Sequence, residues 1–392
     1  MNITEFFQQQ QHEDMRQWRQ HIHQHPETAF EETATADFIS NKLESFGLQV
    51  HRGLGKTGVV ASLNVGQGNK KVALRADMDA LFIDELNDFD YKSVNQGKMH
   101  ACGHDGHSTM LLGAAQYLSK HQNFSGTVHF IFQPAEEGRA GGKQMIDDGL
   151  FELFPADSVY GMHNFPDVPL GHFAVKPGAM MAAFSCFEIN ITGRACHAAM
   201  PHQGNDPIVA AAQLISALQT IISRNMDPAD PAVVSITQIH AGNTWNAIPE
   251  SAVIRGTFRF FSPATGDKIE NQIKHITENI CSSFMVTADI IFNPENPGYP
   301  VTINSAAESQ IAAEVAAEIA GVENVNLNPI SSMGAEDFAF MLQEKPGCYI
   351  WIGNGTSSGN CLLHNPHYDF NDAILPIGAA YWVRLVEKIL VD

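Results

Sequence analysis

The stretch "GTVHFIFQPAEE" (residues 126–137) runs an apolar, β-branched segment straight into two adjacent carboxylates. A run of this kind reads as a buried strand. Two others share the form, "KVALRADMD" (71–79) and "DSVYGMHN" (157–164). Each ends in ionisable residues: Asp77 and Asp79, then Glu136 and Glu137, then His163. Helical patterns lie between them, such as "HSTMLLGAAQYLSKH" (107–121). Strands alternating with helices predict an α/β fold with a largely parallel sheet. In open α/β sheets ligands bind at the carboxyl ends of the strands. Three strands are therefore expected to bring chemistry to one edge.

From about residue 184 the period changes. "FEINITG" sets Phe187, Ile189 and Ile191 against Glu188, Asn190 and Thr192, and "VIRGTFRFF" alternates in the same way. Period-2 alternation marks strands with one wet face. One intervening helix opens with Asp206 as N-cap and Pro207 at its first position. Another carries Ile269, Ile273, Ile276 and Ile280 on one face. The order strand, helix, strand, strand, helix, strand predicts a ferredoxin-like α+β domain inserted into the first. The expected division is 1–182 and 297–392 for the α/β domain and 183–296 for the insertion. After 300 the α/β pattern resumes, with "GCYIWIGNG" (347–355) as a strand and 373–390 as a closing helix.

Composition narrows the function. A chain of 392 residues with 44% apolar and 17% charged residues can bury a substantial core. Its formal charge of −20 argues against nucleic acid and anionic membranes as partners. No run of 18 apolar residues appears, and the N-terminus lacks the pattern of a secretory signal. The six cysteines form no compact disulfide framework, so a cytoplasmic protein with reduced thiols is expected. Eighteen histidines against 23 Lys plus Arg is a mild pointer to metal chemistry.

"MHACGHDGHSTM" (99–110) packs Cys102, His104, Asp105 and His107 into six positions. Alone it would fit a polar loop, or a thiol nucleophile with its base. The nucleophile reading leaves Glu136 and Glu137 without a role. Two neighbouring anions at a strand end are costly unless a positive charge is close. One could bind a metal while the other serves as general base. "GMHN" adds His163, and "LLHNPHYDF" adds His364 and His367. Cys102, His104, Glu137, His163 and His364 then make a mixed S, N and O set suited to zinc, cobalt, nickel or manganese.

The same residues lie in motifs that resemble the metallopeptidase M20 family, in its aminoacylase, hippurate hydrolase and auxin-conjugate hydrolase branch. The motifs are "HQHPETAFEE" (23–32), "LRADMDAL" (74–81), "MHACGHDGH" (99–107), "FQPAEEG" (132–138), "GMHN" (161–164), "GRACHAAMPH" (193–202), "NTWNAIPE" (243–250), "GAEDFAFML" (334–342) and "LHNPHYDFND" (363–372). They span nearly the whole chain. The resemblance implies two divalent ions held by Cys102, His104, Glu137, His163 and His364. It makes Glu136 the general base and Asp79 the aspartate that orients a ligand. It implies an inserted lid that also makes a homodimer, or a tetramer. His197 would reach the substrate carbonyl, and Asn246 and Arg259 would contact the substrate. The expected reaction is hydrolysis of an N-acyl amino acid. A dipeptidase on the same scaffold is the nearest alternative, and a non-catalytic metal-binding protein is a third reading. One position departs from the family: Phe82 stands where proline is usual after "DMDAL". His21, His23 and His25 look like a metal cluster but are expected to be structural. Glu336 and Asp337 are expected to cap the following helix or to support the metal site.

Overall fold

A computed structural model describes residues 2–295, 297–355 and 361–391. Contacts divide the chain into two compact units. The first comprises Met1–Met180, Thr302–Ile330 and Asp337–Asp392, and the second Met181–Val301 with Ser331–Glu336. The second is wider than the 183–296 span expected from sequence and is discontinuous. Its extra segment is tied in by hydrogen bonds, from Ala182 N to Ser332 O and from Arg259 Nη1 to Met333 O. The expected boundary at residue 296 lies outside the described residues.

The first unit is built on a mixed sheet. Its strand order is Gln49–Leu54, Gly58–Val65, Gly126–Gln133, Lys71–Asp77, Ser158–Phe165, Gly347–Gly353, Phe173–Ala174 and Val325–Asn326. The four central strands, from Gly126–Gln133 to Gly347–Gly353, run parallel; the first two pair antiparallel. Gly126–Gln133 and Gly347–Gly353 are buried along their whole length. Burial on both faces is why these strands read as continuous apolar runs instead of alternating ones. The helices His104–Lys120, Ala306–Ala320 and Leu375–Ile389 contribute buried apolar residues to the same core.

The helix expected over 107–121 begins earlier, at His104. Gly103 precedes it with φ 93°, and a Cβ there would lie 2.2 Å from Asn164 Oδ1. Only glycine allows that approach. The early start puts His104 and His107 on the first turn, directly beneath the strand ends.

The second unit has a separate core. Its sheet runs Ala232–Ala241, Ser251–Phe260, Ala183–Thr192, Thr287–Phe292, with every pair antiparallel. The helices Pro207–Leu218 and Pro263–Ser283 pack on it, which gives the ferredoxin-like arrangement. Asp206 caps the first helix, its side chain accepting from Ile208 N at 2.8 Å. The stretch Pro207–Asn225 is long and apolar enough to cross a membrane by length and composition alone. Here Ala210, Ala211, Leu214, Leu218 and Ile221 are buried in the second core.

Candidate metal centre

Three adjacent parallel strands carry the candidate residues to one edge of the first unit. Lys71–Asp77 ends at Asp77, with Asp79 two residues on. Gly126–Gln133 runs into an irregular turn holding Glu136 and Glu137. Ser158–Phe165 supplies His163. Cys102 and His104 come from the start of the helix His104–Lys120, and His364 from a later loop. Cys102, His104, Glu136 and His163 are buried, Glu137 is partly buried and His364 is exposed.

The ligand atoms fall into overlapping groups. Those of Cys102, His104 and His163 lie within 4.8 Å of one another, and so do those of Cys102, Glu137 and His364. A third group joins His104, Glu136 and Glu137. Cys102 Sγ is 3.4 Å from His163 Nε2, and Glu137 Oε1 is 3.3 Å from His364 Nε2. His104 Nε2 is buried with no hydrogen-bond partner among the described residues, and the buried Glu137 Oε1 has only the His364 ring beside it. Buried polar atoms are nearly always satisfied. A soft thiolate, imidazoles and a carboxylate gathered around an unsatisfied ring nitrogen fit a divalent cation.

Charge points the same way. Burial alone would lower His104, but Asp77, Asp79 and Glu137 outweigh it and raise the ring to about 10. This surplus of negative charge calls for a cation. Burial raises the Cys102 thiol well above its ordinary range, and Glu137 and Glu136 push it further. A thiol held protonated is a poor nucleophile, which counts against the Cys–His reading. Burial also depresses His163, with His107 beside it, and so keeps its ring neutral.

Outer residues fix these groups. Asp79 Oδ1 lies 3.2 Å from His104 Nδ1, and Asp79 Oδ2 accepts the Glu137 amide at 2.9 Å. One aspartate thus orients a ring and holds the next turn. Asp77 Oδ1 is 2.7 Å from His107 Nδ1, whose other nitrogen is 2.7 Å from Asn164 Oδ1. Arg75, fully buried, donates to Asp77 Oδ2, Gln133 Oε1 and Asp337 Oδ1. Sequence reasoning gave no role to Arg75, His107 or Asn164. All three stand inside the quoted motifs, but only the register of neighbouring strands brings them together. Asp337 precedes the helix Phe338–Glu344 without capping it; its carboxylate serves Arg75, Gln133 and the Gly142 amide instead.

His21 and His25 lie ring against ring, 4.7 Å between centroids, on the helix His12–Gln24 and its C-cap. His23 is buried between Asp105 Oδ2 at 2.9 Å and Glu85 Oε1 at 3.2 Å. The three do not form a cluster. His197, Asn246 and Arg259 belong to the second unit. His197 sits on the short strand Cys196–His197, paired with Ala247–Ile248; its ring is exposed and its Nδ1 accepts the Ala199 amide. Asn246 is exposed, and its backbone oxygen accepts the Ala198 amide. The guanidinium of Arg259 stacks over Phe184 at 4.7 Å. Phe82 is 77% exposed, so its replacement of the usual proline disturbs no packing.

The description "Peptidase family M20/M25/M40" matches residues 73–388. Hippurate hydrolase of Campylobacter jejuni is 43% identical over 372 residues, covering 95% of each chain. N-acetyl-L-cysteine deacetylase of Bacillus subtilis is 38% identical, covering 95% of this chain and 87% of its own. A crystal structure from Bacillus subtilis, a dinuclear metal-binding peptidase of the M20 family, superposes with a TM-score of 0.83 at 32% identity, covering 97% of this chain and 98% of its own. The family match spans most of the chain and both curated relatives exceed a third identity along nearly all of it, so this protein belongs to peptidase family M20/M25/M40.

Proposed function

We propose that this protein is a metal-dependent amidohydrolase that splits N-acyl amino acids into a carboxylic acid and a free amino acid. The observation that carries this reading is the convergence of Cys102, His104, Glu137, His163 and His364 beside Glu136, with His104 Nε2 buried and unsatisfied. Hippurate hydrolase and N-acetyl-L-cysteine deacetylase act, by their names, on different acyl groups. What their substrates share is an amide between an acyl group and an amino acid.

Cys102, His104 and Glu137 are each shared between ligand groups, which supports a pair of ions, and a thiolate at Cys102 could serve both. A thiolate has several lone pairs, whereas a neutral imidazole offers one. The Bacillus subtilis relative is described as dinuclear, which supports the same count. Zinc, manganese, cobalt and nickel all suit this donor set. Bound here, such ions polarise the amide carbonyl and lower the pKa of a water. Glu136 takes the proton of the attacking water and passes it to the leaving nitrogen. Asp79 engages His104 Nδ1 and so would leave the Nε2 lone pair available to hold a divalent ion. His197 donates a hydrogen bond to the developing oxyanion, and Asn246 and Arg259 contact the substrate.

The second unit makes a homodimer, and His197 serves the partner's site. Supporting this, the strand Ala232–Ala241 is at the sheet edge, Ile208, Val209, Val233 and Ile239 are exposed, and Trp245 has no buried surface. Cysteines with no disulfide among the described residues support a cytoplasmic location. The deciding assay sets N-benzoylglycine and N-acetylmethionine beside dipeptides, with and without chelator. Hydrolysis of the acyl amino acids, abolished by chelator, is expected. Faster turnover of dipeptides would favour the exopeptidase reading, to which the name of the Bacillus subtilis peptidase lends support.

A further inference from the structure

Glu32 has no exposed surface, and its carboxyl group ties its own loop to two distant segments. Oε1 accepts the amides of Phe30 at 3.0 Å and Ala135 at 2.9 Å, and Oε2 accepts the Thr57 hydroxyl at 2.6 Å. The helix that follows, Thr33–Ser45, does not need this carboxylate. Its first amides, Ala34 and Thr35, are taken by Glu27 at 3.1 and 2.8 Å.

What Glu32 holds is the residue before Glu136. Ala135 has φ 55° and ψ 39°, a left-handed conformation that a residue with a side chain rarely adopts. Such a conformation persists only where its surroundings over-determine it. Two residues on, the Glu137 amide is held by Asp79. Glu136 therefore sits between two backbone amides, each gripped by a carboxylate from a different part of the first unit. On the side-chain end, the Asp337 amide approaches Glu136 Oε1 at 3.4 Å.

We propose that Glu32 is a positioning residue for Glu136: by accepting the Ala135 amide it fixes the left-handed turn that directs the proton-carrying carboxylate. This rests on the reading of Glu136 as the group that moves the proton. Burial, and then the neighbouring Asp79, raise Glu32 to about 7. Its neutral form is thus within easy reach, and an uncharged side chain of the same shape can make the same bonds to Phe30 and Ala135.

The test compares Glu32→Ala with Glu32→Gln by two measurements on metal-loaded protein. Hydrogen exchange is followed in the peptide spanning 133–139, and steady-state kinetics are run on whichever N-acyl amino acid the unmodified protein turns over. In Glu32→Ala, exchange in that peptide should speed up about tenfold or more. Its kcat should fall about 100-fold, the scale of a small misplacement of a reacting group, with KM and bound metal unchanged. Glu32→Gln should stay within about threefold on both, because the acceptor is kept. Unchanged exchange in Glu32→Ala overturns the proposal, and so does faster exchange with unchanged kcat. A Glu32→Gln variant as impaired as Glu32→Ala also overturns it, since charge and not the acceptor would then matter. If Glu32→Ala does not fold, Thr57→Val removes only the Oε2 anchor. It should move both readouts the same way by about fivefold, and movement within about threefold overturns the proposal. The exchange measurement needs no substrate. A protein that hydrolysed no N-acyl amino acid would defeat the functional reading and leave the test of Glu32 standing.

Discussion

His104, in the first unit, has no exposed surface, an aspartate at one ring nitrogen and the partly buried Glu137 carboxylate 3.9 Å from the other. His197, in the second, is exposed, and its Nδ1 accepts the Ala199 amide. Similar contrasts separate Cys102 from Asn246 and Glu136 from Trp245. Residues at the strand ends are held by neighbours drawn from distant segments. Residues on the loops of the second unit are held chiefly by their own short ladder. Preorganisation is what makes a metal or oxyanion site effective, because the groups need not reorganise when charge develops. The first unit has this within one chain. The loops of the second leave side chains free to meet something else, as surface loops that carry function commonly do.

The sharpest way to break this contrast is to empty each half in turn. Glu136→Gln should lower kcat about 10⁴-fold, the upper range for a group that moves a proton, while metal analysis finds the ions retained. Cys102→Ala should be equally inactive but should have lost metal. A Glu136→Gln protein that arrives empty beside a full Cys102→Ala protein would reverse the two roles. For the exposed half, His197→Ala should cost about 10²–10³-fold in kcat, the worth of one oxyanion donor, with metal content unchanged. Co-expressing it with Glu136→Ala should restore activity in the mixed dimer, where one site has both residues. No recovery would mean that His197 acts within its own chain.

Two smaller effects refine the comparison. Asp79→Asn keeps the size of the side chain but replaces one acceptor, and metal affinity should fall about 10–100-fold, as for other residues that orient a ligand. Titration with a chelator of known affinity reads this directly. At the weak end, Arg255 and Glu188 pair at 2.6 Å on the sheet of the second unit, with 43% of the arginine side chain exposed. Arg255→Ala should change unfolding free energy by less than about 1 kcal/mol. A larger loss in a denaturant titration would show that the second unit relies on its polar contacts more than its exposure suggests.

The parts legible in the sequence were those that repeat a local pattern. Continuous apolar runs gave the central strands, and strict alternation gave the four-stranded sheet. Asp79, Glu136, Glu137 and His163 stood out because each follows or ends such a run. The start of the helix at His104 was missed by three residues, since Gly103 acts through its closeness to Asn164 rather than through any capping signal. Glu32 was hidden because its partners, Thr57 and Ala135, are far away in sequence. The same holds for Arg19, which is fully buried and binds Asp372 and Asp369 from the far end of the chain. The attachment of 331–336 to the second unit includes hydrogen bonds, from Ala182 N to Ser332 O and from Arg259 Nη1 to Met333 O, that no periodicity records. Pairwise contacts across long separations leave no trace in composition or period, and those are the contacts that complete the site.

The parallel pairing of Gly347–Gly353 with Ser158–Phe165 sets an order of events during synthesis. Chains emerge from the ribosome at about 5–20 residues per second, and domains fold as units once their sequence is complete. The four-stranded sheet needs nothing beyond Phe292, so it closes first. The large sheet must wait for the strand Gly347–Gly353, and His364 comes later still. Until then Cys102, His104 and His163 lack the strand that flanks His163 and the loop that brings His364. Ions should therefore enter only once residue 364 has been made, and a nascent chain stalled before residue 347 should carry a folded second unit but no metal.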